Sequence, residues 1–157
     1  GVVKTLNIRT TVITSFQGQE IIIPNKDLFQ NVLINDSTNK ERRIDLGVGV
    51  SYGEDLERVR EITLEAVKDV PFRKTDKEIS LVYEAFGDSS INFIIMIWVK
   101  FDNQLDYLKA QSEAIISIKK AYDQHDIMIP FPIRTLDFGI KGGVKLNTML
   151  EGDGKLE

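Results

Sequence analysis

Residues 42–70 (RRIDLGVGVSYGEDLERVREITLEAVKDV) place a strand, a tight turn and an amphipathic helix in direct succession. Arg43, Asp45, Gly47 and Gly49 alternate with Ile44, Leu46, Val48 and Val50, which is the period of a half-buried strand. Tyr52-Gly53 is turn chemistry, and Asp55 is placed to cap the helix that follows. In that helix Leu56, Val59, Ile62, Thr63, Ala66, Val67 and Val70 share one face. A chain with this stretch is committed to a mixed fold in which helices cover a sheet.

The pattern continues downstream. Residues 78–86 (EISLVYEAF) read as a second strand, and Gly87-Asp88-Ser89-Ser90 as a hairpin turn. Residues 91–101 read as a third strand, whose run INFIIMIWV is the longest apolar stretch. A membrane helix needs about 20 such residues, so this run is a buried central strand. A second helix is expected from Asn103 to about Gln124, with Leu105, Leu108, Ser112, Ile115, Ile116, Lys119 and Tyr122 at helical spacing. Pro130-Phe131-Pro132 breaks the chain before a short last strand at 134–138. The order βαββαβ predicts a ferredoxin-like sheet with two helices on one face.

Residues 1–36 read as all-β. Val2, Val3, Leu6, Ile8, Val12 and Ile13 form a strand-like stretch, 15–20 a hairpin turn with Gly18 free to take positive φ, and 20–23 the return strand. Pro24 stops that strand, and 29–34 reads as one more short strand. Short, curled strands of this kind suit a small barrel-like sheet. Residues 37–41 are polar and turn-rich and read as a linker. The expected class is therefore α+β. A small β-domain spans 1–36, a ferredoxin-like domain 42–133, and a strand followed by a glycine-rich, flexible tail 134–157.

Composition excludes several functions. The net charge of −4 argues against a nucleic-acid or anionic-membrane surface. Zero cysteines removes disulfides, thiolate metal sites and cysteine nucleophiles, and a single histidine, His125, removes a multi-histidine metal centre within one chain. His125, between Asp123 and Asp126, reads as a helix-end histidine favoured by the dipole. Glu54, Glu57, Glu61 and Glu65, interleaved with Arg58 and Arg60, read as a solvated helix face rather than an acid–base pair. Gly47-x-Gly49 and Gly142-Gly143 lack phosphate-loop spacing; the first pair reads as allowing close packing or a bend on one strand face. No catalytic constellation and no cofactor are expected. The chain begins at Gly1, without Met and already inside a β-like pattern, and reads as an excised fragment.

Seven short pieces, in order and spacing, give a resemblance over about residues 1–138. They are Leu6-Asn7-Ile8-Arg9-Thr10-Thr11, Ile23-Pro24-Asn25, Asn31-Val32-Leu33-Ile34-Asn35, Arg43-Ile44-Asp45-Leu46, Val48-Gly49-Val50-Ser51-Tyr52, Gly87-Asp88-Ser89-Ser90-Ile91 and Ile129-Pro130-Phe131-Pro132. Together they resemble the cytoplasmic region of the small-conductance mechanosensitive ion channel family. The resemblance implies an Sm-like β-domain, shorn of its first strand and pore helix, followed by a mixed α/β domain. It implies a homoheptamer that forms a hollow cytoplasmic cage below an inner-membrane pore, with side portals between neighbouring subunits. It implies a strand near 135–140 that closes the base of the cage in a small barrel, and ions and small osmolytes as the released species. By position Asp36, Lys40, Glu41 and Asp88 are candidate portal residues. Phe16, Leu28, Phe29, Leu136 and Phe138 are candidate interface residues, with filling of the monomer's own core the open alternative for Phe16, Leu28 and Phe29. Attachment to the membrane would come through transmembrane helices that this chain lacks.

Two other readings stay open on the residues alone. A ferredoxin-like scaffold also hosts ligand-binding regulatory modules, which would be monomers or dimers with a discrete small-molecule site. An Sm-like ring also suits RNA binding, which the acidic balance disfavours.

Overall fold

The computed structural model describes residues 1–35 and 38–134 and divides the chain into two units, the first Gly1–Glu41 and the second beginning at Arg42. In the first unit strands β1 (Val2–Leu6), β2 (Thr10–Thr14) and β3 (Glu20–Pro24) form an antiparallel sheet in the order β1-β2-β3. The stretch read as one long strand folds back on itself at Asn7, whose N–H donates to Thr10 O at 2.8 Å. The next turn follows the sequence expectation. Ser15 N–H donates to Gln19 O at 2.8 Å, and Gly18 sits at φ 85°, a conformation that glycine adopts without the strain a Cβ would bring. The sheet is open, and no closed barrel is present among the described residues.

Pro24 ends β3 but does not lead into another strand. Its φ of −58° suits a helix N-cap, Asp27 lies in the first turn where the dipole favours an acid, and Asn25–Gln30 forms the short helix α1. The expected strand at 29–34 is thus displaced, and 31–35 carry no regular structure. Val32, Leu33 and Ile34 have strand-forming side chains but no partner strand in the described unit. Among the described residues of this unit only Thr11 is buried.

The second unit has a conventional core. Strands β4 (Glu41–Val50), β5 (Ser80–Phe86) and β6 (Ile91–Lys100) assemble in the order β4-β6-β5, with helices α2 (Leu56–Ala66) and α3 (Gln104–Gln124). A strand joined to the next by a helix, with a third strand between them, is the split βαβ arrangement expected from the sequence. β5 and β6 are antiparallel, with a bulge at Tyr83/Ala85. Along β6, Ile91, Phe93, Ile95, Ile97 and Val99 are buried while Asn92, Ile94, Met96 and Trp98 are half-buried, so one strand serves two environments. The final strand of the expected order, 134–138, lies outside the described residues except for Arg134.

The helices show why propensity is not packing. Asp55 caps α2, accepting from the N–H groups of Glu57 (3.0 Å) and Arg58 (3.3 Å). Val59, Thr63, Val67 and Val70 then point into the core as expected. On α3 the buried face is Ala110, Ala114, Ile118 and Tyr122, not the stripe of larger side chains. Of the seven residues read at helical spacing, only Tyr122 is buried; Leu105, Leu108, Ile115 and Ile116 are exposed. Small alanines let the helix approach its neighbours closely, and hydrophobic periodicity weighs side-chain size without seeing that constraint. Tyr122, fully buried, sits 2.6 Å from Thr63 Oγ1, which donates to Val59 O at 2.6 Å. A pair of buried hydroxyls thereby joins α2 to α3.

An unforeseen piece closes the sheet's far end. Phe72 takes φ 64°, and residues 72–74 lie beside the end of β6, with Lys74 N–H on Trp98 O and Lys100 N–H on Phe72 O, both at 2.8 Å.

Candidate functional site

The β5–β6 turn carries Asp88 on a built platform. Gly87 N–H donates to Ser90 O at 2.7 Å, and Ser90 Oγ donates to Asn92 Oδ1 at 2.7 Å. Tyr52 OH donates to Gly87 O at 2.5 Å, and the Tyr52 ring stacks on Phe86 with centroids 6.2 Å apart. Gly49 belongs to the same construction: a Cβ there would lie 3.0 Å from Ser90 Cβ and 3.1 Å from Asn92 Oδ1. Close approach explains Gly49, whereas a Cβ on Gly47 would meet nothing within 4 Å. Asp88 itself is exposed at the tip.

Of the other candidate portal residues, Lys40 is exposed with φ 51°, in the left-handed region that few side chains occupy. Glu41 is half-buried and opens β4. Asp36 lies outside the described residues, as do Leu136 and Phe138. Phe16 is exposed at the β2–β3 turn, Phe29 projects from α1 with 90% of its surface exposed, and Leu28 beside it is half-buried. Phe16 and Phe29 therefore do not fill their own unit's core. In the same unit the run Val32–Leu33–Ile34 is exposed; in the second unit, the outer stripe of α3 is exposed apolar surface of its own. The α3 stripe was visible as periodicity, but only packing shows it faces outward.

The turn at Asn7–Arg9 is held from below. Asn25 Nδ2 donates to Asn7 O (2.9 Å) and Ile8 O (3.2 Å), Asn25 N–H donates to Arg9 O (2.9 Å), and buried Thr11 Oγ1 donates to Asn25 Oδ1 (2.8 Å). One asparagine thus satisfies a turn whose carbonyls have few other partners. Ile8 stands at its tip almost fully exposed.

The Arg43 guanidinium forks onto the Asp45 carboxylate at 2.6 and 2.8 Å, and that hydrogen-bonded ion pair holds its pKa further up. Burial pushes the Tyr122 hydroxyl up to about 12, opposed in part by its bond to Thr63. Burial likewise raises Tyr83, whose OH donates to Leu56 O at 2.6 Å beneath the Arg60 guanidinium. The acidic row that begins at Glu54 and continues along α2 is not uniform. Glu57 pairs with Arg60 (3.2 Å) and Glu65 with Lys68 (3.3 Å), but Glu54 Oε1 accepts the N–H of Met128 at 2.9 Å. At His125 the backbone is engaged: its carbonyl accepts from Arg58 Nη2 at 2.7 Å. No group of three or more His, Cys, Asp or Glu able to hold a metal ion occurs among the described residues.

Comparison with known proteins agrees with this architecture. The solved closed-state MscS of Helicobacter pylori superimposes with a TM-score of 0.78 at 31% identity, over 89% of this chain and 54% of that one. Arabidopsis thaliana MSL1 shares the fold with a TM-score of 0.68 at 15% identity, over 82% of this chain and 48% of that one. Two family models match: the mechanosensitive ion channel beta-domain over residues 1–38, and the C-terminal domain of the mechanosensitive ion channel MscS over residues 44–129. The chain belongs to the MscS family of mechanosensitive ion channels. The small-conductance mechanosensitive channel of Helicobacter pylori is 35% identical over 145 residues, covering 90% of this chain and 50% of that protein. An uncharacterised MscS family protein of Synechocystis is 34% identical over 134 residues, covering 85% of this chain and 44% of its own length. This chain spans about half the length of the curated relatives it matches. The family is one of ion channels rather than enzymes. Among the described residues no helix is long and apolar enough to cross a membrane.

Proposed function

We propose that this chain is the cytoplasmic cage of a tension-gated inner-membrane channel that passes ions and small osmolytes. Seven copies would form the cage, with conduction and tension sensing assigned to segments outside the chain. The observation that supports assembly is the first unit's lack of a core. Only Thr11 is buried among its described residues, while Val2, Leu6, Ile22, Val32 and Ile34 are each more than half exposed. A sheet of about 40 residues without a core does not hold itself, and a ring of copies covers such surface without leaving an end. Open edges at β1 and β3, together with the exposed apolar run 32–34, suit strand addition between neighbours. Phe16, Leu28 and Phe29 would anchor that interface, with Leu136 and Phe138 at a second contact. Asp36, Lys40, Glu41 and Asp88 would set the charge at the portals.

The test is the solution mass of the purified chain by light scattering over a concentration series. A species of seven times 17.8 kDa that dissociates on Leu33→Glu supports the cage. A stable dimer indifferent to that substitution would refute it.

A further inference from the structure

The end of the described chain is fastened unevenly. α3 stops at Gln124, and Asp126, at φ 53°, turns the backbone out of the helix. The next two residues are anchored several times over. Ile127 is buried and its N–H donates to Tyr122 O at 2.9 Å. Met128 O accepts from Ser51 N–H at 3.0 Å, and its own N–H donates to Glu54 Oε1 at 2.9 Å. Arg58 adds a bond to His125 O at 2.7 Å.

Beyond Met128 the picture changes. Among the described residues, 129–133 make one hydrogen bond, from Ile133 N–H to Ser89 Oγ at 3.0 Å. Pro130 and Pro132 have no N–H to give, so this stretch cannot pair as a regular strand, and their fixed φ angles stiffen it. Burial does not hold it either: Phe131 is 86% and Ile133 65% exposed.

We propose that residues 129–133 form a stiff strap, rooted at Ile127–Met128 and fastened at its far end by a single latch on Ser89. The strap swings as a unit when that one bond opens. The strap ends at Arg134, so the latch sets the direction of the backbone at that residue. One net hydrogen bond leaves the open form populated in a minority of molecules, on the order of one in ten. That is a population which a modest differential contact with strap residues can invert.

Amide hydrogen exchange, read at Ile133 and Met128 by NMR, tests this on the whole chain. Ser89→Ala should speed exchange at Ile133 about fivefold, the worth of one net hydrogen bond, and leave Met128 unchanged. Ser89→Thr, which keeps an acceptor hydroxyl, should restore protection. Glu54→Ala should act on Met128. The absence of native cysteine gives a second readout, spin labels at Phe131→Cys and Glu84→Cys. Their distance distribution should broaden when Ser89→Ala is added. The proposal is overturned if Ile133 exchange ignores Ser89→Ala, if Met128 and β6 accelerate in parallel with it, or if the label distance stays single and narrow.

Discussion

The buried hydroxyl pair Thr63–Tyr122 yields a prediction whose order, not just sign, follows from geometry. Thr63 has one hydroxyl proton and donates it to Val59 O, so Tyr122 must be the donor across the 2.6 Å contact. Tyr122→Phe then removes a donor and strands nothing, since Thr63 still donates to Val59. The expected cost is about 1 kcal/mol, or roughly 4 °C in Tm for a unit of this size. Thr63→Ala instead leaves the Tyr122 O–H buried without an acceptor, a penalty of about 1–3 kcal/mol on top of the lost contacts. In the Tyr122→Phe background that orphan no longer exists, so Thr63→Ala should cost distinctly less there. Urea unfolding of the four proteins of this cycle measures the coupling. Additive effects, or a Tyr122→Phe cost above that of Thr63→Ala, would refute the assigned donor. The pair also sets an alkaline limit. Tyr122 ionises at about 12 when folded and near 10 when unfolded, so the unfolded state releases the proton first. Stability from this source is intact below about pH 10 and falls as pH rises from about 10 to about 12, by about 2–3 kcal/mol in all. Tyr122→Phe should show a shallower decline in that window.

Two further tests separate buried from open positions. Ala114→Leu on the inner face of α3 should destabilise the chain by about 1–3 kcal/mol through overpacking, while Ile115→Ala on the outer stripe should change the stability of an isolated subunit by less than about 0.5 kcal/mol; thermal melts at low concentration compare them. Gly49→Ala should lower Tm, because its Cβ presses on Ser90 and Asn92, whereas Gly47→Ala meets open space and should leave Tm level or slightly raised.

Local signals made much of the second unit legible. Alternation along 42–50, the Asp55 cap, the helical spacing of α2 and the apolar run 91–99 each state a period or a cap within one segment. The hairpin at 87–90 announced itself through turn residues. At α3 the element and its boundaries were readable but its orientation was not. Leu105, Leu108, Ile115 and Ile116 form the stripe of larger apolar side chains, yet the face with Ala110, Ala114, Ile118 and Tyr122 is the buried one. The strand expected at 29–34 failed for a related reason. β-branched side chains favour a strand only when another strand is there to pair, and the described unit offers none.

The candidate site divides the same way. Asp88 was locatable as a turn tip, and Phe16 and Phe29 as large apolar groups in a small sheet. That both phenylalanines face outward is a matter of packing. That Glu54 accepts the N–H of Met128, and that Ser89 accepts the N–H of Ile133, are contacts between residues 74 and 44 positions apart. The sequence by itself determined the order of elements from β4 to α3, the Asp55 cap, the turns at 15–20 and 87–90, and the family, because these depend on neighbours along the chain. Which face is buried, which glycine is crowded and where the chain's end is tied depend on neighbours in space, and only the tertiary structure decided them.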